Sequence, residues 1–336
     1  MRMTPLRVAG GVAGIVAVVA IALYLIPSND YLFLPDPAHP VAQLMRVQGG
    51  HDPTGPGGIY FVDVLERRAN MLESLFPSIR DGSTLVPASA IVTPGVSDAA
   101  QRRADLRQMS ISQRVAAAVA ERRLGYHVVA KPSGVIVDAI EIGSHAVGKL
   151  QPTDVIVAVN GKPTLTIAAL RAQLALVAPG GSVTLSVRRG GGALVLTVKT
   201  IADPNAPRRA IIGFQPAQSA DIHLPLRVEI ASGDIGGPSA GLAFALEVMQ
   251  KLGHNVARGY RVVATGTISL DGSVGAIGGI EQKTIGAREA KADVFLVPVA
   301  GDNAVDARRY AHGLRIIAVQ SFPQALHALA TLPPKG

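Results

Sequence analysis

The sequence contains no cysteine or tryptophan, and it is poor in aromatic and charged residues. Of its 336 residues, 4% are aromatic and 17% are charged. The absence of cysteine excludes a disulfide framework, a cysteine-ligated zinc or iron–sulfur site, and a cysteine nucleophile. Because 48% of the residues are hydrophobic, the chain can bury a core, which excludes general disorder. At about 150 residues per domain, the length leaves room for roughly two domains and additional segments.

Two kinds of site are also missing from the sequence. No G-x-x-x-x-G-K-[ST] phosphate-binding loop occurs, which excludes ATP-driven unfolding by that motif within this chain. The eight histidines are scattered and no His/Asp/Glu group has the spacing of metal ligands, so we expect neither a metal nor another cofactor. The formal net charge is +8. We nevertheless expect no nucleic acid as partner, because the N-terminal sequence directs the chain out of the cytoplasm.

The N-terminal sequence has the pattern of a membrane segment. Residues Val8 to Ile26 are uncharged and largely apolar, and at about 1.5 Å per residue this run would cross a hydrocarbon core of roughly 30 Å. Arg2 and Arg7 precede it, so the positive-inside rule places the N-terminus in the cytoplasm and the rest outside. A cleaved signal peptide is the alternative, although the run is long for one. We therefore predict a single-pass transmembrane anchor at residues 8–26.

The remainder of the chain divides by composition into three segments. Residues 28–122 contain short strand patterns between prolines and glycines, followed by a helix whose N-cap would be Ser97. Residues 123–200 alternate polar and apolar as strands do, and residues 203–207 have the composition of a linker. Residues 208–333 mix strands with long helices, which predicts an α+β unit of catalytic size.

The candidate nucleophile lies in the last of these segments. Gly237-Pro238-Ser239-Ala240-Gly241 fits the G-x-S-x-G pattern of α/β-hydrolases, and the adjoining residues nearly spell the G-D-S-G-G-P of chymotrypsin-like proteases, with Ile235 in place of the serine. A third interpretation puts Ser239 in the first turn of a buried helix, with Pro238 at its first position. Free backbone N–H groups there would stabilise an oxyanion, and Gly237 would let a peptide approach. A structural helix cap is the alternative role for this serine.

A second predicted helix carries a lysine on an apolar stripe. Lys283 shares that face with four apolar residues, Ile280, Ala287, Ala290 and Val294. Burial favours the neutral form of a lysine, lowers its pKa and makes it a candidate general base. A Ser–Lys dyad requires this arrangement and needs no histidine. The alternative is a lysine whose stem packs while its ammonium group reaches water.

At these residues the sequence resembles the proteolytic domain of Lon proteases. The motifs are GDIGGPSAGLAFALEV, TGTIS and DGSVGAIGGIEQK, and with the preceding segments they resemble the membrane-anchored, PDZ-containing Lon-like proteases of bacteria, the YlbL type. The resemblance implies that Ser239 is the nucleophile and that Lys283 is its base, with Thr265 as a hydrogen-bond partner nearby. It also implies the ribosomal protein S5 domain 2-like α+β fold and a homo-oligomer. Gly236 stands where full Lon proteins place an aspartate.

The segment before the linker resembles a second family. Residues Pro152 to Leu174 resemble the PDZ domains that accompany bacterial proteases, which bind extended peptides by adding a strand to a sheet edge. Leu124, Gly125 and Tyr126 resemble the carboxylate-binding loop of that family. The family usually has the sequence G-S-P-A, whereas this chain has Gly143-Ser144-His145-Ala146 at that place. A domain that keeps the PDZ fold and binds no peptide is the alternative.

Together these patterns predict an ATP-independent, membrane-anchored serine endopeptidase that hydrolyses peptide bonds in exported or unfolded proteins. Its catalytic domain would lie outside the cytoplasm, and its partners would be polypeptide substrates and the membrane. An α/β-hydrolase would need an acid and a histidine downstream in a doubly wound sheet, and the predicted strand order does not provide that sheet. A non-catalytic PDZ scaffold that recruits exported proteins is the alternative function, against which Lys283 on an apolar stripe argues.

Overall fold

The computed structural model describes residues 5–92, 96–333 and 335. The helices are α1 (Pro5–Leu25), α2 (Met71–Leu75), α3 (Ala88–Ile91), α4 (Asp98–Arg123), α5 (Ile167–Leu174), α6 (Gly241–Lys251), α7 (Ile280–Glu289), α8 (Asn303–Tyr310) and α9 (Phe322–Ala330). The strands are β1 (Pro27–Pro35), β2 (His39–Pro40), β3 (Met45–Val47), β4 (Gly58–Phe61), β5 (Val64–Asn70), β6 (Thr84–Pro87), β7 (Val129–Ile140), β8 (Val155–Val159), β9 (Lys162–Pro163), β10 (Ser182–Arg189), β11 (Gly192–Lys199), β12 (Ile201–Asp203), β13 (Ala206–Ile211), β14 (Phe214–His223), β15 (Val228–Ile230), β16 (Arg261–Ala264), β17 (Thr267–Ile268), β18 (Val274–Gly275), β19 (Val294–Pro298) and β20 (Arg315–Val319).

Helix α1 covers most of the apolar run that the sequence assigns to a membrane anchor. Its apolar side chains are largely exposed, with Ile15 at 67% and Leu25 at 72%. Over the ranges that the structure describes, we find no helix with the length and apolar character that crossing a membrane requires. The predicted transmembrane anchor at residues 8–26 is therefore not confirmed.

A five-stranded sheet with helices on both faces forms the centre of the largest unit. Its strand order is β2-β4-β16-β19-β20, and β4, β16, β19 and β20 run parallel. Alternate residues of β16 point to opposite faces, as strand geometry requires. Val262 and Ala264 pack with α4, α6 and α9, whereas Val263 packs with α7 and α8. Helix α6, which follows Ser239, and helix α7, which carries Lys283, thus lie on opposite faces of one sheet.

The segment before the predicted PDZ domain belongs to this same unit. Strand β4 pairs with β16, β3 pairs with β15, and α4 packs against α6. The sequence predicts residues 28–122 as a separate β-rich region, and these long-range pairings show that the region is not separate. The predicted PDZ domain instead interrupts the larger unit between α4 and β15.

The segment that resembles a PDZ domain is an antiparallel sheet with the strand path β11-β10-β8-β7-β14, and α5 packs against β14 and β7. Thr166 caps α5, its hydroxyl accepting the Ala169 N–H at 3.0 Å. Residues 203–207, predicted as a linker, form the end of the β12–β13 hairpin, with residues 204 and 205 as its turn and the others in the two strands. Residues 222–231 do not form one continuous strand, because residues 222 and 223 end β14 within this sheet while β15 pairs with β3. Pro225, which has no N–H to offer a ladder, lies between them.

Candidate active site

Ser239 lies in a turn immediately before α6 rather than in the first turn of that helix. Its carbonyl oxygen accepts the Gly266 N–H at 2.8 Å and the Thr265 hydroxyl at 3.3 Å. These bonds from a neighbouring segment replace the helical bond that this carbonyl would otherwise accept, so α6 begins at Gly241. Pro238 is therefore not the first helical residue, which corrects the sequence-based prediction. Thr265 is fully buried, and its hydroxyl contacts the backbone carbonyl of Ser239 rather than the serine side chain.

Lys283 reaches Ser239 from the other face of the sheet. Its Nζ donates a hydrogen bond to Ser239 Oγ at 2.9 Å. The lysine lies one turn into α7 and is 4% exposed, so its ammonium group does not reach water along the protein surface. The structure thus brings together the two side chains that the sequence pairs as nucleophile and base.

The surroundings of Lys283 favour its neutral form. Burial lowers the pKa of its ammonium group to about 8, while the nearby charges of Asp63 and Glu66 act in the opposite direction. The loss of hydration is thus larger than the attraction of the two carboxylates. A substantial neutral fraction of Lys283 is therefore present at mildly alkaline pH, and only this form can accept a proton from serine.

The carboxylates beside Lys283 come from a part of the chain that the sequence-based analysis did not connect with the site. Asp63 lies between β4 and β5, and its pKa is raised by burial and by neighbouring Asp36. Asp36, His39 and Asp63 each offer a ligand atom within 4.8 Å of the others, so these three could hold a cation. His39 Nε2 and Asp36 Oδ2 are 2.8 Å apart. Sequence spacing could not show this group, because Asp63 follows a different strand.

Gly237 has open space around it, but its N–H group is already bonded. The N–H donates to the carbonyl oxygen of Asp105 in α4 at 2.9 Å. A Cβ atom added to Gly237 would have no heavy atom within 4 Å, and the residue has φ +82°. Gly237 therefore leaves room for a substrate backbone, as predicted, without offering a free oxyanion donor. Next to it, a Cβ on Gly236 would lie 2.8 Å from that of Asp105, so α4 packs closely on this turn.

The N–H groups of Ser239 and Ala240 are the available donors. Neither has a hydrogen-bond acceptor within the part of the chain that the structure describes. Both precede α6, whose N-terminal end carries a partial positive charge. They are the groups that could bind an oxyanion formed next to Ser239 Oγ.

The predicted carboxylate-binding loop of the PDZ domain is the C-terminal cap of α4. The N–H groups of Leu124, Gly125 and Tyr126 donate to carbonyl oxygens of Ala120, Arg122 and Glu121, at 3.0 to 3.1 Å. These N–H groups thus pair with carbonyl oxygens at the C-terminal end of α4, which have no partner further along the helix. We therefore do not assign a peptide carboxylate to this segment.

A second buried ionisable group lies on α6. Glu247 is fully buried, and within the described residues neither of its carboxylate oxygens has a hydrogen-bond partner. Burial raises its pKa to about 8, against a smaller opposing effect of Lys251. Glu247 is therefore largely protonated at neutral pH. In the sequence, nothing except the charge of Glu247 within a largely apolar helix indicated that this residue is buried.

Comparison with known proteins finds a family match for two regions of the chain. Residues 209–331 match the family model of the Lon protease (S16) C-terminal proteolytic domain, and residues 114–188 match that of the PDZ domain. Lon protease 2 of Bacillus subtilis (strain 168) is 32% identical over 123 residues, which are 37% of this chain and 21% of that protein. Lon protease 1 of Sorangium cellulosum (strain So ce56) is 30% identical over 134 residues, 37% of this chain and 16% of that protein.

The match thus spans about a fifth or less of these relatives' own lengths. Among solved structures, the PDZ domain of an SdrC-like protein from Listeria monocytogenes is 19% identical, covering 25% of this chain and 88% of that chain with a TM-score of 0.24. The family matches and the site geometry concern the same residues. Residues 209–331 are therefore similar to the Lon protease (S16) C-terminal proteolytic domain, a serine peptidase domain, and residues 114–188 are similar to a PDZ domain.

Proposed function

We propose that the chain is a serine endopeptidase in which Ser239 attacks the peptide carbonyl and Lys283 acts as general base. The observation that carries this proposal is the 2.9 Å contact between Lys283 Nζ and Ser239 Oγ in a buried site. A neutral lysine at this distance can accept the serine proton while Oγ bonds to the carbonyl carbon. The resulting ammonium group then protonates the leaving amine, and a water molecule, activated in the same way, releases the acyl group from the serine.

The negative charge that develops on the substrate carbonyl oxygen would be stabilised by the N–H groups of Ser239 and Ala240. Both N–H groups lack an acceptor within the described residues, so neither has to break a bond to receive the oxyanion. Preorganised donors of this kind contribute much of the rate enhancement in acyl transfer. The open space at Gly237 would admit the substrate backbone beside them.

Hydrolysis of casein or of a fluorogenic peptide by the purified full chain tests this proposal. Ser239→Ala should abolish cleavage while the domain stays folded, because only one hydroxyl is lost from a turn. The matched control is Ser269→Ala, an exposed serine in the nearby hairpin loop, which should cleave like the wild type. Cleavage that persists in Ser239→Ala, freed of contaminating protease, would contradict the proposal. A wild type without any cleavage would favour the non-catalytic PDZ scaffold.

We propose further that the reaction needs no ATP and that its substrates are exported or unfolded polypeptides. The support is the absence of a phosphate-binding loop motif from the sequence. Flexible substrates should be cleaved at the same rate with and without ATP and magnesium, whereas stably folded proteins should resist. A reproducible requirement for ATP in the purified chain would contradict this part of the proposal.

The location of the chain is a separate proposal. Arg2 and Arg7 before an apolar run, and the exposed apolar side chains of α1, support attachment to membrane lipid with the folded part outside the cytoplasm. Protease added to spheroplasts should digest the folded part, and its protection beside an accessible control protein would contradict the proposal. The homo-oligomer that the resemblance to Lon implies is tested by sedimentation of the purified chain.

A further inference from the structure

Helix α4 contacts the turn that carries Ser239, residues 236–240, which we call the catalytic turn. This helix begins outside the region that matches the proteolytic domain. The hydroxyl of Ser112 donates a hydrogen bond to the carbonyl oxygen of Pro238 at 3.0 Å, and Ser112 is 5% exposed. A Cβ on Gly241 would lie 2.8 Å from Ser112 Oγ, so the hydroxyl fills the space between α4 and the first residue of α6. Ser112 lies before both matched regions, which begin at residues 114 and 209, so neither family match assigns it a role.

The carbonyl group that Ser112 binds belongs to the same peptide unit as the Ser239 N–H. A trans peptide unit is planar, and its C=O and N–H groups point in opposite directions. The described part of the chain contains no cis peptide bond, so this geometry applies here. A hydrogen bond that fixes the Pro238 carbonyl therefore also fixes the direction in which the Ser239 N–H points.

The next peptide unit is fixed in the same way from another direction. The Ser239 carbonyl accepts the Gly266 N–H at 2.8 Å and the Thr265 hydroxyl at 3.3 Å, which together set the direction of the Ser239–Ala240 peptide unit. Two consecutive N–H groups are thus oriented through their opposite carbonyls. The second unit is held from within the proteolytic domain, whereas the first is held from α4.

We propose that Ser112 is a positioning residue of the peptidase reaction, whose hydrogen bond to Pro238 aims the Ser239 N–H at the oxyanion of the tetrahedral intermediate. The inference rests on the function proposed above. The Gly241 N–H also donates to the Pro238 carbonyl, at 3.3 Å, so loss of the Ser112 hydroxyl loosens the peptide unit without freeing it. We therefore expect a loss of about tenfold in kcat, less than the roughly 100- to 1,000-fold loss on removal of an oxyanion donor itself.

Three variants of the full chain test this assignment at a temperature where all are folded. Ser112→Ala removes the hydroxyl. Ser112→Cys keeps the size of the side chain with a weaker donor, in a chain that has no other cysteine. Ser110→Ala is the matched control, because Ser110 lies on the same helix and is exposed. For each variant we would measure kcat, KM, the pH dependence of kcat, and the affinity for a peptide boronic acid, which forms a tetrahedral adduct with a catalytic serine.

A positioning role affects the transition state more than the bound substrate. Ser112→Ala should lower kcat and the affinity for the boronic acid by a similar factor, leaving KM and the pH midpoint of kcat unchanged. Ser112→Cys should be intermediate, and Ser110→Ala should match the wild type. An unchanged kcat in Ser112→Ala, or a rise in KM as large as the loss in boronate affinity, would overturn the assignment. A wild type without Ser239-dependent cleavage would instead overturn the proposed function and this inference with it.

Discussion

Replacing Lys283 with methionine tests whether burial destabilises the charged form of this lysine in the folded protein. Methionine has a similar unbranched stem and binds no proton. The pKa of Lys283 falls from 10.5 to about 8 on folding, so in this pH range the folded state binds fewer protons than the unfolded state. The wild type therefore gains stability as the pH rises from about 8 towards 10.5. With these pKa values, linkage gives a gain of about 1.4 kcal/mol between pH 7 and pH 9 that Lys283→Met lacks.

Urea denaturation of both proteins at pH 7 and pH 9 measures this difference. At each pH, the free energy of unfolding of the variant is subtracted from that of the wild type. This difference removes the contribution of all other titrating groups that the substitution leaves unchanged. Lys199→Met is the matched control, because this lysine is exposed on β11 and should give the same offset from the wild type at both pH values. If the free energies of unfolding of Lys283→Met and the wild type differ equally at both pH values, Lys283 is hydrated in the folded protein, and the argument for a neutral base fails.

Three further outcomes follow from the structure. Glu247→Gln should stabilise the protein relative to the wild type by about 3.5 kcal/mol more at pH 8 than at pH 5. The sign follows from the pKa of Glu247, which folding raises from 4.5 to about 8, so the wild type loses stability as the pH rises through this window. Gly286→Ala should lower the free energy of unfolding by about 1–3 kcal/mol, since its Cβ would lie 1.9 Å from the Asp36 carbonyl oxygen. Gly278→Ala, with no atom within 4 Å, should change it by less than about 0.5 kcal/mol in the same denaturation experiment. A peptide substrate should be hydrolysed faster as the pH rises through about 8, which initial rates between pH 6 and pH 10 would show; a flat profile would contradict the role of Lys283.

Local patterns made Ser239 and Lys283 separate candidates, whereas the resemblance to Lon proteases implied that the two residues act as a pair. The serine stands in a glycine-rich turn before an apolar helix, and the lysine interrupts an apolar stripe at helical spacing. The N-cap of α4 also has a local signal, and the structure confirms Ser97 as this residue. The start of α6 was not predictable, because it depends on hydrogen bonds from Gly266 and Thr265 to the Ser239 carbonyl.

Contacts between distant segments account for the rest of what the sequence did not show. The pairing of β3 with β15 joins residues on either side of the PDZ domain, and no local pattern indicates which strands pair across such a separation. For the same reason Asp63 and Ser112 gave no signal as neighbours of the site, although one influences the pKa of Lys283 and the other holds the catalytic turn. The segment at Leu124 had a suggestive sequence, but the end of α4 uses its N–H groups.

The measurement that tests the Ser–Lys dyad most directly is peptide hydrolysis by Lys283→Arg across the pH range. Arginine keeps the positive charge and most of the stem, but its guanidinium stays protonated at any working pH and cannot accept the serine proton. The dyad predicts no hydrolysis by the folded variant from pH 6 to pH 10, and no reaction of Ser239 with a fluorophosphonate probe. Wild-type activity should rise through about pH 8 in the same series. Hydrolysis by folded Lys283→Arg, free of contaminating protease, would contradict the dyad and return Lys283 to a structural role.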